Sequence, residues 1–296
     1  YSRTTDFYKI IYPRVKSSIM MRKNILCLKH IEEEVENELS VLAHDYKVRF
    51  TNYNKRNVNT HVNNVICNDR LDKIDTPVVF IIGVAENTHK FDIQLALREE
   101  LLKNGFNVSQ IGTRSYCEFL NFHSFPKFMY MNISELEKIV MFNHYIKYLE
   151  IKEQPDIIVI GIPGGIMKIN DDYTNKFGIF AYEISQALLP DFTILSTYYE
   201  DYKQEYFSKM VNSIKYRFGY DVDCFNLSNV QFDWIKAKEG NSDIYLTIES
   251  SFVDERKKLY DQLSMPVYNI LNRYDVHYLA EHLIGKLNGY GRVASI

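Results

Sequence analysis

Three observations predict an α/β fold, a mostly parallel sheet with helices on both faces. The apolar runs VVFIIG, FNVSQIG, DIIVIGI, FTILST, DVDCFNL, DIYLTI and PVYNIL follow one another after Pro77, separated by helix-length segments. Runs of this kind are strands buried on both sides, the signature of a parallel sheet with helical crossovers. The first run also closes on a glycine and hands over to a helix opening with a lysine, TPVVFIIG, then VAENT, then HKFDIQLALREELLKNG. That unit predicts a nucleotide-binding type of architecture, P-loop-NTPase-like, preceded by a partial N-terminal α/β segment.

In chain order, DFYKIIYPRVKSSIMM predicts a helix interrupted or begun near Pro13, NILCLKHI a short strand, and IEEEVENELSVLAHDY a second helix, with Ile31, Val35, Leu39 and Leu42 at helical spacing. KVRFTN is a further strand, and the Asn-rich NYNKRNVNTHVNN is the best linker candidate. The expected division is therefore residues 1–74 as a partial N-terminal α/β domain and linker, and 75–296 as the P-loop-like domain. A chain that opens on Tyr1 and at once enters an α/β unit suggests that part of an N-terminal domain lies upstream. Further on, Ser134 and Glu137 form a capping box, Leu136, Ile139, Phe142, Ile146 and Leu149 a predicted apolar stripe, and Pro155 the stop.

Composition bounds the function. With 296 residues, 46% hydrophobic and 25% charged, the chain can bury a full core. A net charge of −3 supplies no general pull toward nucleic acid or anionic lipid. No apolar run reaches the roughly 18 residues that span a bilayer, and YSRTTDFYK has no signal-peptide core, so a cytoplasmic protein is expected, with no nucleic-acid or membrane partner. Cys27, Cys67, Cys117 and Cys224 are far apart, without a C-x-x-C pair, which argues against zinc or a disulfide framework.

A turn between strand and helix binds phosphate because backbone N–H groups and the positive helix end converge on it, while a lysine neutralises the outer phosphates. The string Gly83-Val84-Ala85-Glu86-Asn87-Thr88-His89-Lys90-Phe91 fits the longer form of the SIMIBI class of P-loop proteins, with six residues between glycine and lysine. It departs from that form twice. His89 replaces the glycine before the lysine, and Phe91 replaces the hydroxyl that holds magnesium. Glu86 adds a negative charge that is unfavourable beside a polyphosphate unless it meets a base, a metal or a lysine. A second clue is DIIVIGIPGGIMK, where Gly161, Pro163, Gly164 and Gly165 match the glycine turn of this class, but Gly161 stands where a carboxylate is expected. Without that hydroxyl and carboxylate the usual magnesium shell is not assembled, and ordinary hydrolysis of ATP or GTP is not expected. No metal site is assigned.

Residues just beyond the strand ends complete the candidate set. Arg114 could pair with a phosphate or tie down its own loop. Asp171 and Asp172 are metal candidates that read more simply as a solvated turn, and Lys168, Asn170, Thr174, Asn175 and Lys176 lie in the same stretch. Asn226 and Asn229 lie where P-loop relatives often contact the base. His144 sits off its helix's apolar stripe and is expected in solvent, and His277 and His282 are spaced onto different helix faces. The expected cofactor-binding set is Gly83, Glu86, Asn87, Thr88, His89, Lys90, Arg114, Gly164, Gly165 and Asn226; the cofactor itself is left open, with ATP or GTP as candidates beside a peptide or partner enzyme, and no catalytic residue is assigned.

Long strings in order, among them GVAENTHKFDIQLALREELLKNGFNVSQIGTRSYCEFLNFHSFPKFM, VIGIPGGIMKIN, NKFGIFAYEISQA, SIKYRFGYDVDCFNLSNVQFD and PVYNILN, resemble a clostridial family described as peptide maturation system proteins, over about Tyr8 to Gly291. That resemblance implies a place beside radical SAM enzymes and small precursor peptides, in making a ribosomally synthesised, post-translationally modified peptide (RiPP biosynthesis), with precursor peptide or radical SAM maturase as partner. The leading expectation is an accessory protein with a degenerate nucleotide-binding loop. The alternatives are an ATP- or GTP-dependent ligase or transferase acting on the peptide, and a structural scaffold whose loop is filled by its own side chains.

Overall fold

The computed structural model describes residues 7–28, 31–53, 70–168, 170, 174–239 and 244–293. The chain divides into two compact units, Tyr1–Val65 with Lys236–Asp243, and Ile66–Ile235 with Ile244–Ile296. Most of the Asn-rich stretch lies outside the described residues.

In the first unit α1 (Tyr12–Met20) begins with Pro13 in its first turn, where a missing N–H costs nothing. Strands β1 (Ile25–Cys27) and β2 (Phe50–Asn52) pair in parallel, joined through α2 (Glu33–Asp45). Glu33, Glu34 and Glu36 in the first turn of α2 complement its positive end. Ile19, Ile31, Val35, Leu39 and Ala43 form the core of this unit, with Leu42 partly buried against it.

The second unit carries one sheet of seven strands, β3 (Val78–Gly83), β4 (Val108–Gly112), β5 (His123–Ser124), β6 (Ile157–Gly161), β7 (Phe192–Thr197), β8 (Cys224–Leu227) and β11 (Val267–Tyr268). Their order is β11-β8-β7-β3-β6-β4-β5, and every neighbouring pair is parallel. All six residues of β3 are buried, as are those of β4, β6, β7 and β8, which accounts for the unbroken apolar runs of β3 and β6; β4, β7 and β8 also bury polar residues, among them Gln110, Ser196 and Asn226. One expected strand departs from this plan. DIYLTI contributes β10 (Tyr245–Thr247), which leaves the main sheet and pairs antiparallel with β9 (Val230–Phe232). Its three residues are exposed, so no buried position holds it in the core.

The remaining helices are α3 (Lys90–Lys103), α4 (Glu135–Glu153), α5 (Ile179–Ala187), α6 (Gln204–Phe218), the short α7 (Trp234–Lys238), α8 (Ser250–Lys257) and α9 (Arg273–Val293). Ile93, Leu97 and Leu101 of α3 and Leu279, Ala280 and Leu283 of α9 pack on Val79, Ile81, Val159 and Ile194 of the sheet. Each large side chain so buried contributes about 1.5–3 kcal/mol. This packing fixes α3 against β3 and so aims the start of α3 at the end of the central strand.

Helix α4 begins at a complete capping box: the Glu137 N–H donates to Ser134 Oγ at 3.2 Å, and the Ser134 N–H to Glu137 Oε2 at 2.9 Å. Its buried stripe is Val140, Phe142, Asn143, Ile146 and Leu149, while Leu136 is 60% exposed, so the apolar face begins one turn later than its spacing predicts. His144 is not in solvent either. Residues 70–76 run along α4, and His144 Nε2 meets Arg70 O at 2.9 Å while Asn143 Oδ1 accepts from the Asp72 N–H and Glu150 Oε1 from the Thr76 N–H. Backbone polar groups with no ladder to join take partners from the helix, which covers the imidazole to 10% exposure.

Candidate functional site

Strand β3 ends at Gly83, between β6 and β7, and the chain loops over Val84–His89 before α3 begins at Lys90. Packing requires the glycine, because a Cβ at Gly83 would lie 2.3 Å from Thr88 Oγ1 and 3.0 Å from Lys90 Nζ. The loop is pinned from the neighbouring strand. The Val84 N–H donates to Ser196 O at 2.9 Å, Ser196 Oγ donates to Thr88 O, and Tyr198 Oη donates to Glu86 O at 2.7 Å. Thr88 Oγ1 donates to Ala85 O at 3.2 Å across the loop. These bonds use carbonyls. Among the described residues the backbone N–H groups of Ala85, Asn87, Thr88, His89 and Lys90 make no hydrogen bond, so a set of donors at a helix start is left for a ligand.

Lys90 is 7% exposed, and its Nζ donates to Ala85 O at 2.6 Å. Among the described residues no carboxylate pairs with it. Burial pushes its pKa from 10.5 down to about 7; the nearby Glu86 carboxylate opposes that fall, and the charges of Arg114 and Lys176 add to it. A desolvated ammonium next to unpaired N–H donors at a helix start is an arrangement able to bind an anion.

The expected obstruction by His89 is not found. Its backbone takes the left-handed conformation, φ 61°, that a glycine would hold at no cost. Its ring leaves the loop: Nδ1 lies 2.6 Å from Asp92 Oδ2 and Nε2 2.6 Å from Asn229 Oδ1, while Asn229 Nδ2 donates to Ile248 O. Burial disfavours the imidazolium, yet Asp92 and Asn229 outweigh it and raise the pKa above its usual value. Phe91 also points away, packing near Tyr116 and Phe122 with the Arg114 guanidinium 5.6 Å from its ring centre. His89 and Phe91 therefore do not fill the loop.

Glu86 has its compensating lysine, for Lys176 Nζ lies 2.7 Å from Glu86 Oε1. Lys176 sits in a run of left-handed residues, Asn175 (φ 48°), Lys176 (φ 55°), Phe177 (φ 56°) and Gly178 (φ 74°). Each non-glycine residue there costs about 1–2 kcal/mol, so its surroundings must hold the run in place. Asn175 Nδ2 provides part of that hold, donating to Val84 O and to Met167 O, both at 2.8 Å. Gly165 makes room, since a Cβ there would be 1.8 Å from Asn175 Nδ2. Gly164 has φ +79° and open space around it. The turn after β6 and the phosphate-type loop are thus tied through Asn175, and the Ile166 N–H adds a bond to Gly83 O at 3.1 Å.

At Gly161 no carboxylate is present, and a Cβ would lie 2.3–2.5 Å from the Gln94 amide. Gln94, fully buried, donates to Ile111 O at 2.7 Å. Asn226, expected near a base, is 1% exposed and belongs to the scaffold: Nδ2 donates to Ser196 Oγ at 2.8 Å and Oδ1 accepts from the Ile270 N–H at 2.9 Å. It acts on the loop through Ser196. Asp171 and Asp172 lie outside the described residues, as does Cys67. Cys117 and Cys224 are buried, and burial pushes the Cys117 thiol up to about 11. A separate cavity of about 490 Å³, lined by Arg98, Gln110, Glu118, Phe122, His123 and Glu153 among others, includes none of the loop residues.

Ser196, Tyr198 and Gln94 join the site without having been singled out by any motif in the sequence. Ser196 lies inside the FTILST run, one residue before its end, and only the pairing of β7 with β3 shows that it reaches the loop.

No protein-family model and no curated protein matches the chain. Among solved structures, a DUF1611 family protein from Anabaena variabilis superposes with a TM-score of 0.57 at 9% identity, covering 96% of this chain and 78% of that one. At that identity the likeness speaks for architecture alone. This is a P-loop-NTPase-like α/β fold. A GTPase from Pyrococcus abyssi in its apo form (TM-score 0.36, 16% identity, 70% of this chain and 97% of that one) and chloroplast FtsY from Physcomitrella patens (0.36, 13%, 87% and 86%) are also similar. At these TM-scores nothing further follows from either. No helix among the described residues is long and apolar enough to cross a membrane.

Proposed function

We propose that the β3–α3 loop binds a nucleoside polyphosphate, ATP or GTP, without ordinary hydrolysis, and that the protein is an accessory factor in maturing a ribosomally synthesised peptide. One observation carries the nucleotide reading: among the described residues, five backbone N–H groups between Ala85 and Lys90 make no hydrogen bond, and the buried Lys90 at their end pairs with no carboxylate. Gly83, Asn87, Thr88, His89 and Lys90 would supply the cradle through the backbone and the ammonium, with Gly164 and Gly165 shaping the adjacent turn. The reading against hydrolysis rests on side chains. Phe91 has no oxygen to give a metal, and Gln94 fills the space beside Gly161. A nucleotide held there would act as a structural or regulatory ligand, stabilising the folded state by mass action. The role in peptide maturation rests on the long strings quoted above, and a precursor peptide or radical SAM maturase is its proposed partner. Calorimetry with ATP, GTP and precursor peptide tests both parts. Nucleotide binding without turnover is expected, and brisk turnover abolished by Lys90→Ala would refute the reading.

A further inference from the structure

Among the described residues, the ionisable groups near the loop include Lys90 at its end, Arg114 on the Phe91 side, and the Lys176–Glu86 pair, 2.7 Å apart. The position of Lys176 is built rather than casual. Asn175, the residue before it, is anchored to Val84 O in the loop and to Met167 O after β6, and the left-handed run that follows fits only because Gly178 passes beside Ile166 O and Gly165 leaves room for the Asn175 amide. Among the described residues, no three His, Cys, Asp or Glu side chains gather where they could hold a metal ion. Asp92, the acidic residue nearest the lysine on α3, is spent on His89.

Resting on the nucleotide reading above, we propose that Lys176 replaces the divalent cation. It would exchange Glu86 for the outer phosphate of the ligand, so that the loop takes the nucleoside polyphosphate in its metal-free form. Lys90 shares the neutralisation of the outer phosphates, and Arg114 contributes the third positive charge. Glu86 is then an internal counter-ion that holds Lys176 over the empty loop. It competes with the incoming phosphate and, one-third exposed, turns to water when displaced.

Calorimetric titration of ATP into the full chain, in EDTA and again in excess magnesium, is the test, with Lys176→Met, Lys176→Arg and Glu86→Gln alongside and thermal unfolding as a check on folding. The wild type is expected to bind at least as tightly in EDTA as in magnesium. Lys176→Met should weaken EDTA binding by about tenfold or more, Lys176→Arg should retain most of it, and Glu86→Gln should tighten it by several-fold as the competing carboxylate disappears, with fold-changes of this size within reach of one charge-assisted contact. Binding that requires magnesium, or that is unchanged in folded Lys176→Met, overturns this inference and leaves the nucleotide reading standing. No binding of any nucleotide in either buffer overturns the nucleotide reading itself.

Discussion

Replacing Lys90 with methionine isolates the cost of burying an ammonium at the start of α3. Methionine keeps the unbranched stem and its packing and removes only the charge and its donors. The fall of the Lys90 pKa from 10.5 to about 7 corresponds to an upper limit of about 5 kcal/mol against folding when the group is charged. Its sign follows from proton counting. Between about pH 7 and pH 10.5 the unfolded chain holds a proton that the folded protein has lost, so wild-type stability rises with pH across that window. Below pH 7 the full cost is present, and above 10.5 it vanishes because both states are neutral. Lys90→Met should therefore raise the urea midpoint most at pH 6, by a net amount equivalent to about 1–4 kcal/mol once the lost bond to Ala85 O is counted, with a gain that shrinks steadily toward pH 10. The lost bond to Ala85 O subtracts about 1 kcal/mol at every pH. A variant no more stable than wild type at pH 6, or one whose gain does not change with pH, would refute the claim that this lysine is buried at a cost to stability.

Anion binding should reverse that cost. With its pKa lowered by burial to about 7, Lys90 is mostly deprotonated in the ligand-free protein at pH 8, so polyphosphate binding should take up protons, measurable by calorimetry in two buffers of different ionisation enthalpy. Asn226→Ala should cost about 2–4 kcal/mol by urea unfolding, since it strands the Ile270 N–H and frees Ser196 Oγ, without changing the ratio of ATP to GTP affinity. Gly165→Ala drives a Cβ into the Asn175 amide and should cost about 1–3 kcal/mol while raising hydrogen exchange over Val84–Lys90. Ser134→Ala removes the α4 cap, for about 1 kcal/mol, with no effect on nucleotide binding.

The sheet was legible because its strands are buried on both faces, so VVFIIG and DIIVIGI carry an unbroken apolar signal that survives without tertiary information. DIYLTI carried the same signal for a different cause, which only the β9–β10 pairing separates. At the site, the Gly83–Lys90 spacing located the loop, but the sequence left open where His89 and Phe91 point. Side-chain direction there depends on Asn229, 140 residues away, and on Tyr116 and Phe122 beyond the next strand. The same is true of Asn226. Its type suggested a ligand contact, and only the register of β7, β8 and β11 shows that its amide is consumed by the scaffold. The turn holding Asn175 and Lys176 was legible as polar but not as left-handed, because three of its four residues, Asn175, Lys176 and Phe177, are not glycine and take that conformation only against the loop they brace.

A crystal structure grown with metal-free ATP tests the central claim most directly. The account predicts phosphate oxygens within hydrogen-bond distance of the N–H groups of Asn87, Thr88, His89 and Lys90, with the Lys90 ammonium drawn off Ala85 O onto the ligand. Nucleotide bound elsewhere, with the Lys90–Ala85 bond intact and the loop donors still open, would contradict it.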